Sequence, residues 1–258
     1  MKRSVAALVM TTSLVFAGSA LAQTMDKVVK VGSLGDQSGL YQDIGGPGSS
    51  AAAQMAIEDS GLLAKGWKIE LISADHQNKP DVGVNVGKQW IDVEKVDVFV
   101  DPASSGVGLA ISNLAKDKNV VNLNSGSASS DLTGAQCSPN TVHWVYDTWM
   151  LANGTGKALV KSGGDSWFFL TADYAFGHAL ERDTAAVVTA NGGKVLGNVR
   201  HPLNNADFSS FLLQAQSSKA KIIGLANAGG DTTNAIKQAA EFGIVAAGQK
   251  LAALLLFI

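Results

Sequence analysis

"VDVFVDPASSGVGLAISNLAKDKNVVNLNSGSAS", Val96–Ser129, holds the pattern on which the fold turns. Its first six residues, Val96–Asp101, read as a nearly all-apolar strand of the kind buried on both faces of a parallel sheet. Ser104 or Ser105 can cap the helix that follows, where Val107, Ala110, Ile111 and Leu114 share one stripe. "VVNLN" is a second apolar strand, and it gives way to small polar residues: Ser125, Gly126, Ser127 and Ser129. Strand, helix and strand in that order predict a right-handed parallel crossover. The Ser125–Ser129 run then falls at the carboxyl end of a strand, the edge where open α/β sheets bind ligands. On spacing alone it reads equally as an anion cradle of hydroxyls and open amides, or as a solvated loop that caps the next element through Ser129 or Asp131.

The same rhythm runs outward in both directions. Upstream lie a β-branched strand at Val28–Leu34, a helix from about Gly48 to Leu62 and a strand at Trp67–Asp75. Lys79-Pro80-Asp81 opens a further helix with Val82, Val86, Trp90 and Val93 on one face. Four β-α units predict a parallel sheet with helices on both faces. The loops after Leu34, Asp75, Val100 and Leu123 then share one rim, which carries Asp36, Gln37, Ser38, His76, Ser104, Ser105, Ser125 and Ser127. Downstream, the extended aromatic stretch Thr141–Tyr146 is expected to cross to a second lobe. There the rhythm restarts with helix Thr148–Lys161, strand Ser166–Ala172, helix Ala175–Asn191 and strand Lys194–His201. A helix bearing Phe208, Phe211, Leu212 and Ala215, the strand "KIIGLAN" and a helix from Asp231 to Phe242 complete it. This second rim carries Asp173, Tyr174, Phe176, Asn227, Gly229 and Asp231. The expected architecture is α/β: two doubly wound, Rossmann-like parallel-sheet lobes, residues 23–143 and 144–258, joined by a hinge and facing each other across a binding cleft.

The N-terminus reads as an export signal. Lys2 and Arg3 precede an apolar run from Val5 to Phe16, and Ala20-Leu21-Ala22 is a small-residue cleavage site, so the exported chain is expected to begin near Gln23. A formal charge of −2 without any Lys/Arg block argues against nucleic acid as a partner. The single cysteine, Cys137, is either a free thiol or one whose partner lies in sequence beyond this chain. The last residues, "QKLAALLLFI", read as a strand with no loop, helix or cap after it, which predicts a chain continuing in a longer protein.

Several motifs are decoys. Gly46–Ala51 fits G-x-G-x-x-A, yet about ten residues separate it from the preceding strand and Pro47 sits inside the turn, which argues against a dinucleotide site. His76, His143, His178 and His201 show no metal-ligand spacing, and His76 reads as a surface-loop residue. No G-x-S-x-G elbow or P-loop is present. Asp36, Asp101, Asp173 and Asp231 read as loop and cap carboxylates rather than catalytic pairs. Trp90, Trp144, Trp149 and Trp167 read as packing residues.

The stretches "VGSLGDQSGLYQDIGGPGSSAAAQMAIED", "ISADHQNKPDVG", "DPASS", "LNSGSASSDLTG" and "FLTADYAFGHALERD" together resemble the periplasmic solute-binding proteins of ABC importers, in their branched-chain amino acid-binding (Leu/Ile/Val) group with the type I fold. "SPNTVHW" and "TADYAFGHALE" are similar to a subgroup with members that bind small aromatic acids. The resemblance implies a periplasmic, monomeric, non-enzymatic receptor without cofactor or metal. It would close about its hinge on a small organic carboxylate and deliver it to an inner-membrane permease. A sensor controlling a regulator would use the same fold, and a secreted α/β enzyme is the remaining alternative. The resemblance places the ligand carboxylate against Ser104 or Ser105 and against Ser125, Gly126 and Ser127, which favours the cradle reading. It places Tyr174 and Phe176 over the ligand, with a further contact from Asn227, Gly229 or Asp231 and first-loop contacts from Gln37, Ser38 and Tyr41. The carboxylate that amino acid binders set against a ligand ammonium falls beyond the end of this sequence.

Overall fold

The computed structural model describes residues 26–257, so the expected signal peptide lies outside the described residues. Two parallel sheets form two α/β lobes. The first contains β1 (Val28–Gly35), β2 (Lys68–Asp75), β3 (Val98–Val100), β4 (Val121–Asn124) and β5 (Thr141–His143), in the order β2-β1-β3-β4-β5. The second contains β6 (Ser166–Ala172), β7 (Lys194–His201), β8 (Ile222–Ala226) and β9 (Lys250–Ala253), in the order β7-β6-β8-β9. Every pairing is parallel. All strand-to-helix loops of a lobe therefore emerge at one edge, as the crossover handedness requires.

The helices are α1 (Gln42–Gly45), α2 (Pro47–Asp59), α3 (Pro80–Gln89), α4 (Ser105–Lys118), α5 (Thr148–Leu151), α6 (Lys157–Lys161), α7 (Ala175–Ala190), α8 (Ser209–Ser217) and α9 (Gly230–Glu241). In the first lobe, Val107, Ile111 and Leu114 of α4 pack with Leu34, Trp90, Val96 and Phe99 into one core. The second lobe has two. Phe208 and Leu212 join Phe168, Leu170 and Leu225 on one face of the sheet. Trp167, Phe169 and Leu180 build the other, which reaches across the cleft to Tyr41 and Ala128 of the first lobe.

Five expectations need correction. Thr141–His143 does not leave the first sheet but joins β4 as its parallel edge strand, and the crossing follows it. The Thr148–Lys161 helix is interrupted at Ala152–Gly156 by a wide turn of π type, where Gly154 and Gly156 weaken the helix and Gly156 lies against Thr184 of α7. The helix begun at Pro80 likewise widens over Trp90–Glu94, which turns Val93 out to solvent (67% exposed) while Trp90 stays in the core. Trp144 and Trp149 are exposed at 82% and 62%, whereas Trp90 and Trp167 are buried as expected. The final strand stops at Ala253, and Leu254 and Leu255 turn into the interlobe core instead of extending it. Helices also cover the first sheet unequally. α3 and α4 cover one face, but among the described residues Val121, Leu123 and Val142 on the other face of β4 and β5 remain more than 40% exposed. Cys137 is a free, exposed thiol.

Candidate functional site

The two loop rims meet around a narrow cavity of about 20 Å³, far below the ~300–1,000 Å³ usual for small-molecule sites, so in this arrangement the lobes stand closed upon one another. Each wall traces to a strand end. Asp36, at the end of β1, accepts the amides of Gly39 (3.0 Å) and Tyr41 (2.9 Å), an Asp-closed turn that holds Tyr41 in the wall. Gln37 and Ser38 do not reach the cavity. The Gln37 amide and the Ser38 hydroxyl both bond to Asp75 (3.0 and 2.6 Å), and so tie the first loop to the second. His76 is buried, not on the surface. Its Nδ1 accepts the Asn78 amide (2.9 Å), and burial pushes its pKa down, so the ring is neutral.

The β3 loop supplies Ala103 and Ser105, and the β4 loop supplies Gly126 and Ala128. Ser105 Oγ accepts the amides of Ala128 (3.2 Å) and Ser129 (3.1 Å), which fills its lone pairs and leaves its proton free to donate. Ser104 sits at the N-cap of α4 in an extended conformation, but its hydroxyl caps nothing and is buried without a partner. The 14-residue helix therefore presents its positive end beside Ser105 with no side-chain cap. Of the two serines left open by the sequence, Ser105 forms the wall and Ser104 lies behind it.

The hydroxyls of the Ser125–Ser129 run are turned inward. Ser125 donates to Asp101 (3.0 Å), Ser127 Oγ rests on the carbonyls of Pro102 and Ser104, and Ser129 caps the following turn by accepting the Asp131 amide (3.3 Å). The run is nonetheless no solvated loop, because Ser127 and Ser129 are fully buried. His143 Nε2 holds the Ser127 carbonyl at 2.6 Å. What the run gives to the cavity is the bare backbone at Gly126, where a Cβ would stand 2.5 Å from Asp101 Oδ1 and 2.7 Å from Ala103 Cα. Burial pushes the pKa of Asp101 up.

From the second lobe come Tyr174, Phe176 and Ala228, with Leu255 and Phe257 from the segment after β9. Tyr174 ends the turn after β6 and Phe176 opens α7. That helix starts close on the strand because Gly177 has no Cβ to strike the Ala172 carbonyl. Asn227 and Asp231 lie outside the cavity. Asn227 bridges Thr232 (2.7 Å) and His201 (3.1 Å), and Asp231 accepts the amides of Asn204 (3.1 Å) and Asn205 (2.9 Å). Gly229 turns with φ +60° and lies against Tyr41 and Ile44, a lobe-to-lobe contact. Ile44 and Tyr146 complete the lining, and sequence reasoning had not singled them out. Burial pushes the Tyr146 hydroxyl up to about 12. Among the described residues no Lys, Arg, His, Asp or Glu lines this cavity, and no cluster of His, Cys, Asp and Glu is suited to a metal. An anion here would be held by neutral donors: a serine hydroxyl, phenols and a helix N-terminus.

Residues 28–258 match the family model for periplasmic binding proteins. The chain belongs to the periplasmic binding protein family. Solved members share its type I architecture of two parallel-sheet lobes. A periplasmic binding protein from Burkholderia mallei is 55% identical, with a TM-score of 0.84 over 89% of this chain and 61% of its own. A branched chain amino acid ABC transporter periplasmic ligand-binding protein from Burkholderia xenovorans is 37% identical, with a TM-score of 0.70 over 86% of this chain and 60% of its own. An ABC transporter solute binding protein from Rhodopseudomonas palustris, in complex with 3,4-dihydroxy benzoic acid, is 26% identical, with a TM-score of 0.76 over 87% of this chain and 61% of its own. The chain thus spans about three fifths of the length of these members of the family.

Proposed function

We propose that the protein is the periplasmic receptor of an ABC importer and that its interlobe cavity captures a small aromatic carboxylate. The observation that carries this reading is the lining itself: five aromatic rings, Tyr41, Tyr146, Tyr174, Phe176 and Phe257, around a wall where Ser105 and the α4 N-terminus offer donors and no charged side chain stands. A carboxylate settles at the donors and an aromatic ring enters between these side chains when the lobes part, since the closed cavity of about 20 Å³ is too small to hold one. The solved relative carrying a dihydroxybenzoic acid supports this class of ligand. The relative described as a branched chain amino acid binder keeps a branched-chain amino acid as the second reading.

Ligand contacts from both lobes favour the closed arrangement, so closure about the hinge follows from differential affinity for that state. Delivery to an inner-membrane permease, export by the N-terminal signal, and binding by a monomer without turnover complete the proposal. The test is a thermal-shift panel of benzoate, hydroxybenzoates, hydroxycinnamates and branched-chain amino acids. A native-state ligand at a hundred times its Kd stabilises by about 2.7 kcal/mol. Aromatic acids are expected to raise Tm in a concentration-dependent way. A rise with leucine or valine alone would replace the first reading by the second, and no rise with any compound would sink both.

A further inference from the structure

The sequence contains three tyrosines, and all three, Tyr41, Tyr146 and Tyr174, line this one cavity. Two of them meet across the lobes, with Tyr41 Oη and Tyr174 Oη 2.5 Å apart and their rings tilted at a centroid distance of 6.3 Å. Two phenols in one hydrogen bond use one proton and one lone pair. The pair therefore retains a second O–H proton and spare lone pairs, and among the described residues no other group bonds either oxygen. Tyr41 hangs from the β1 loop, whereas Gly126 and Ala128 hang from the β4 loop, two strand positions away, or about 10 Å. A single-ring acid that entered with its carboxylate at Ser105 and Gly126 would therefore direct its far ring carbon towards the side of the cavity that carries the phenols.

We infer that Tyr41 and Tyr174 form a specificity subsite that reads a hydroxyl group on the ligand opposite its carboxylate. A ligand hydroxyl both donates and accepts, so it takes the unused proton of the pair and returns its own to a phenol oxygen. A bare C–H at that position leaves a buried phenolic proton without an acceptor, which is how hydrogen-bonding sites reject analogues lacking the group. Burial, and the fields of Asp231 and Asp36 at Tyr41, keep both phenols protonated, so the pair keeps its second O–H proton to donate.

The inference rests on the aromatic-acid reading of the cavity. The experiment is titration calorimetry of the full chain with benzoate, 4-hydroxybenzoate and 2-hydroxybenzoate, repeated for Tyr41→Phe and Tyr174→Phe. The quantity read is the ratio of affinities within each protein, which is insensitive to a general loss of binding. The wild type is expected to favour 4-hydroxybenzoate over benzoate by about fivefold or more. The 2-hydroxy isomer, with its hydroxyl beside the carboxylate, gains nothing, and the ratio in either variant falls towards one. A wild-type ratio near one, an equal gain with the 2-hydroxy isomer, or a ratio unchanged in both variants overturns the inference while leaving the aromatic-acid reading intact. If none of the three acids binds the wild type, both fall together.

Discussion

Gly126 is the position where bare backbone lines the interlobe cavity. A methyl group there would meet Asp101 Oδ1 at 2.5 Å and the Ala103 backbone at 2.7 Å, and neither can retreat, since Asp101 is buried and tied to Ser125. Gly126→Ala is therefore expected to destabilise the fold by about 1–3 kcal/mol, the usual cost of overpacking, and to weaken ligand-induced stabilisation. Urea unfolding with and without ligand reads both effects, and a variant equal to wild type in each would show that the loop is looser than its packing indicates. At this scale the sequence was legible only in part. Small residues at 125–129 marked the loop, but composition alone does not say which way a hydroxyl points. Ser125 and Ser127 spend their hydroxyls on Asp101 and on backbone carbonyls. Asn227 and Asp231, chosen for their place on the second rim, are likewise consumed inside their own lobe.

The ends of β7 and β8 and the start of α9 are joined by a chain of polar contacts. Thr232 donates to Asn227, Asn227 Nδ2 donates to His201 Nε2, and His201 Nδ1 donates to the Pro202 carbonyl (2.8 Å). This chain requires a neutral imidazole, and burial pushes the His201 pKa down from its ordinary 6.5. The unfolded chain then binds the extra proton more readily, so stability is full above pH ~6.5 and falls as the pH drops below it towards the depressed folded value. Buried His76 acts in the same direction. Urea midpoints measured between pH 8 and 5.5 are expected to decline below about 6.5, with a shallower decline in His201→Gln. A flat profile would contradict the neutral assignment. Elements were the most legible level of the sequence, because short, nearly all-apolar runs such as "VDVFVD" stand out as buried strands and helices with one apolar stripe show their own period. The missed interruptions at Trp90–Glu94 and Ala152–Gly156 arise from local widening that periodicity does not register.

Among the described residues, side-chain bonds fasten the lobes at two places. One is the cavity with its Tyr41–Tyr174 bond. The other is a polar clasp in which Asp183 accepts the hydroxyls of Ser130 (2.7 Å) and Thr148 (2.6 Å) while Arg182 pairs with Asp131 (3.1 Å). The clasp begins one residue after the Ser125–Ser129 run, so the loop that shapes the donor wall also anchors the helix that carries Phe176. Two similar lobes facing each other could be read from the repeated β-α rhythm. Tyr146, Leu255 and Phe257 could not, because they reach the cavity from segments that look like continuing strands, and only the turn of the chain after His143 and after Ala253 brings them in. Capture between the lobes requires that this interlobe space be the ligand site. A crystal structure of the protein with 4-hydroxybenzoate tests it most directly. The expected result is one molecule between the lobes, its carboxylate within hydrogen-bonding distance of Ser105 Oγ and its ring against Phe176. Density for the acid anywhere else, with the space between Tyr41, Ser105 and Phe176 left empty, would contradict it.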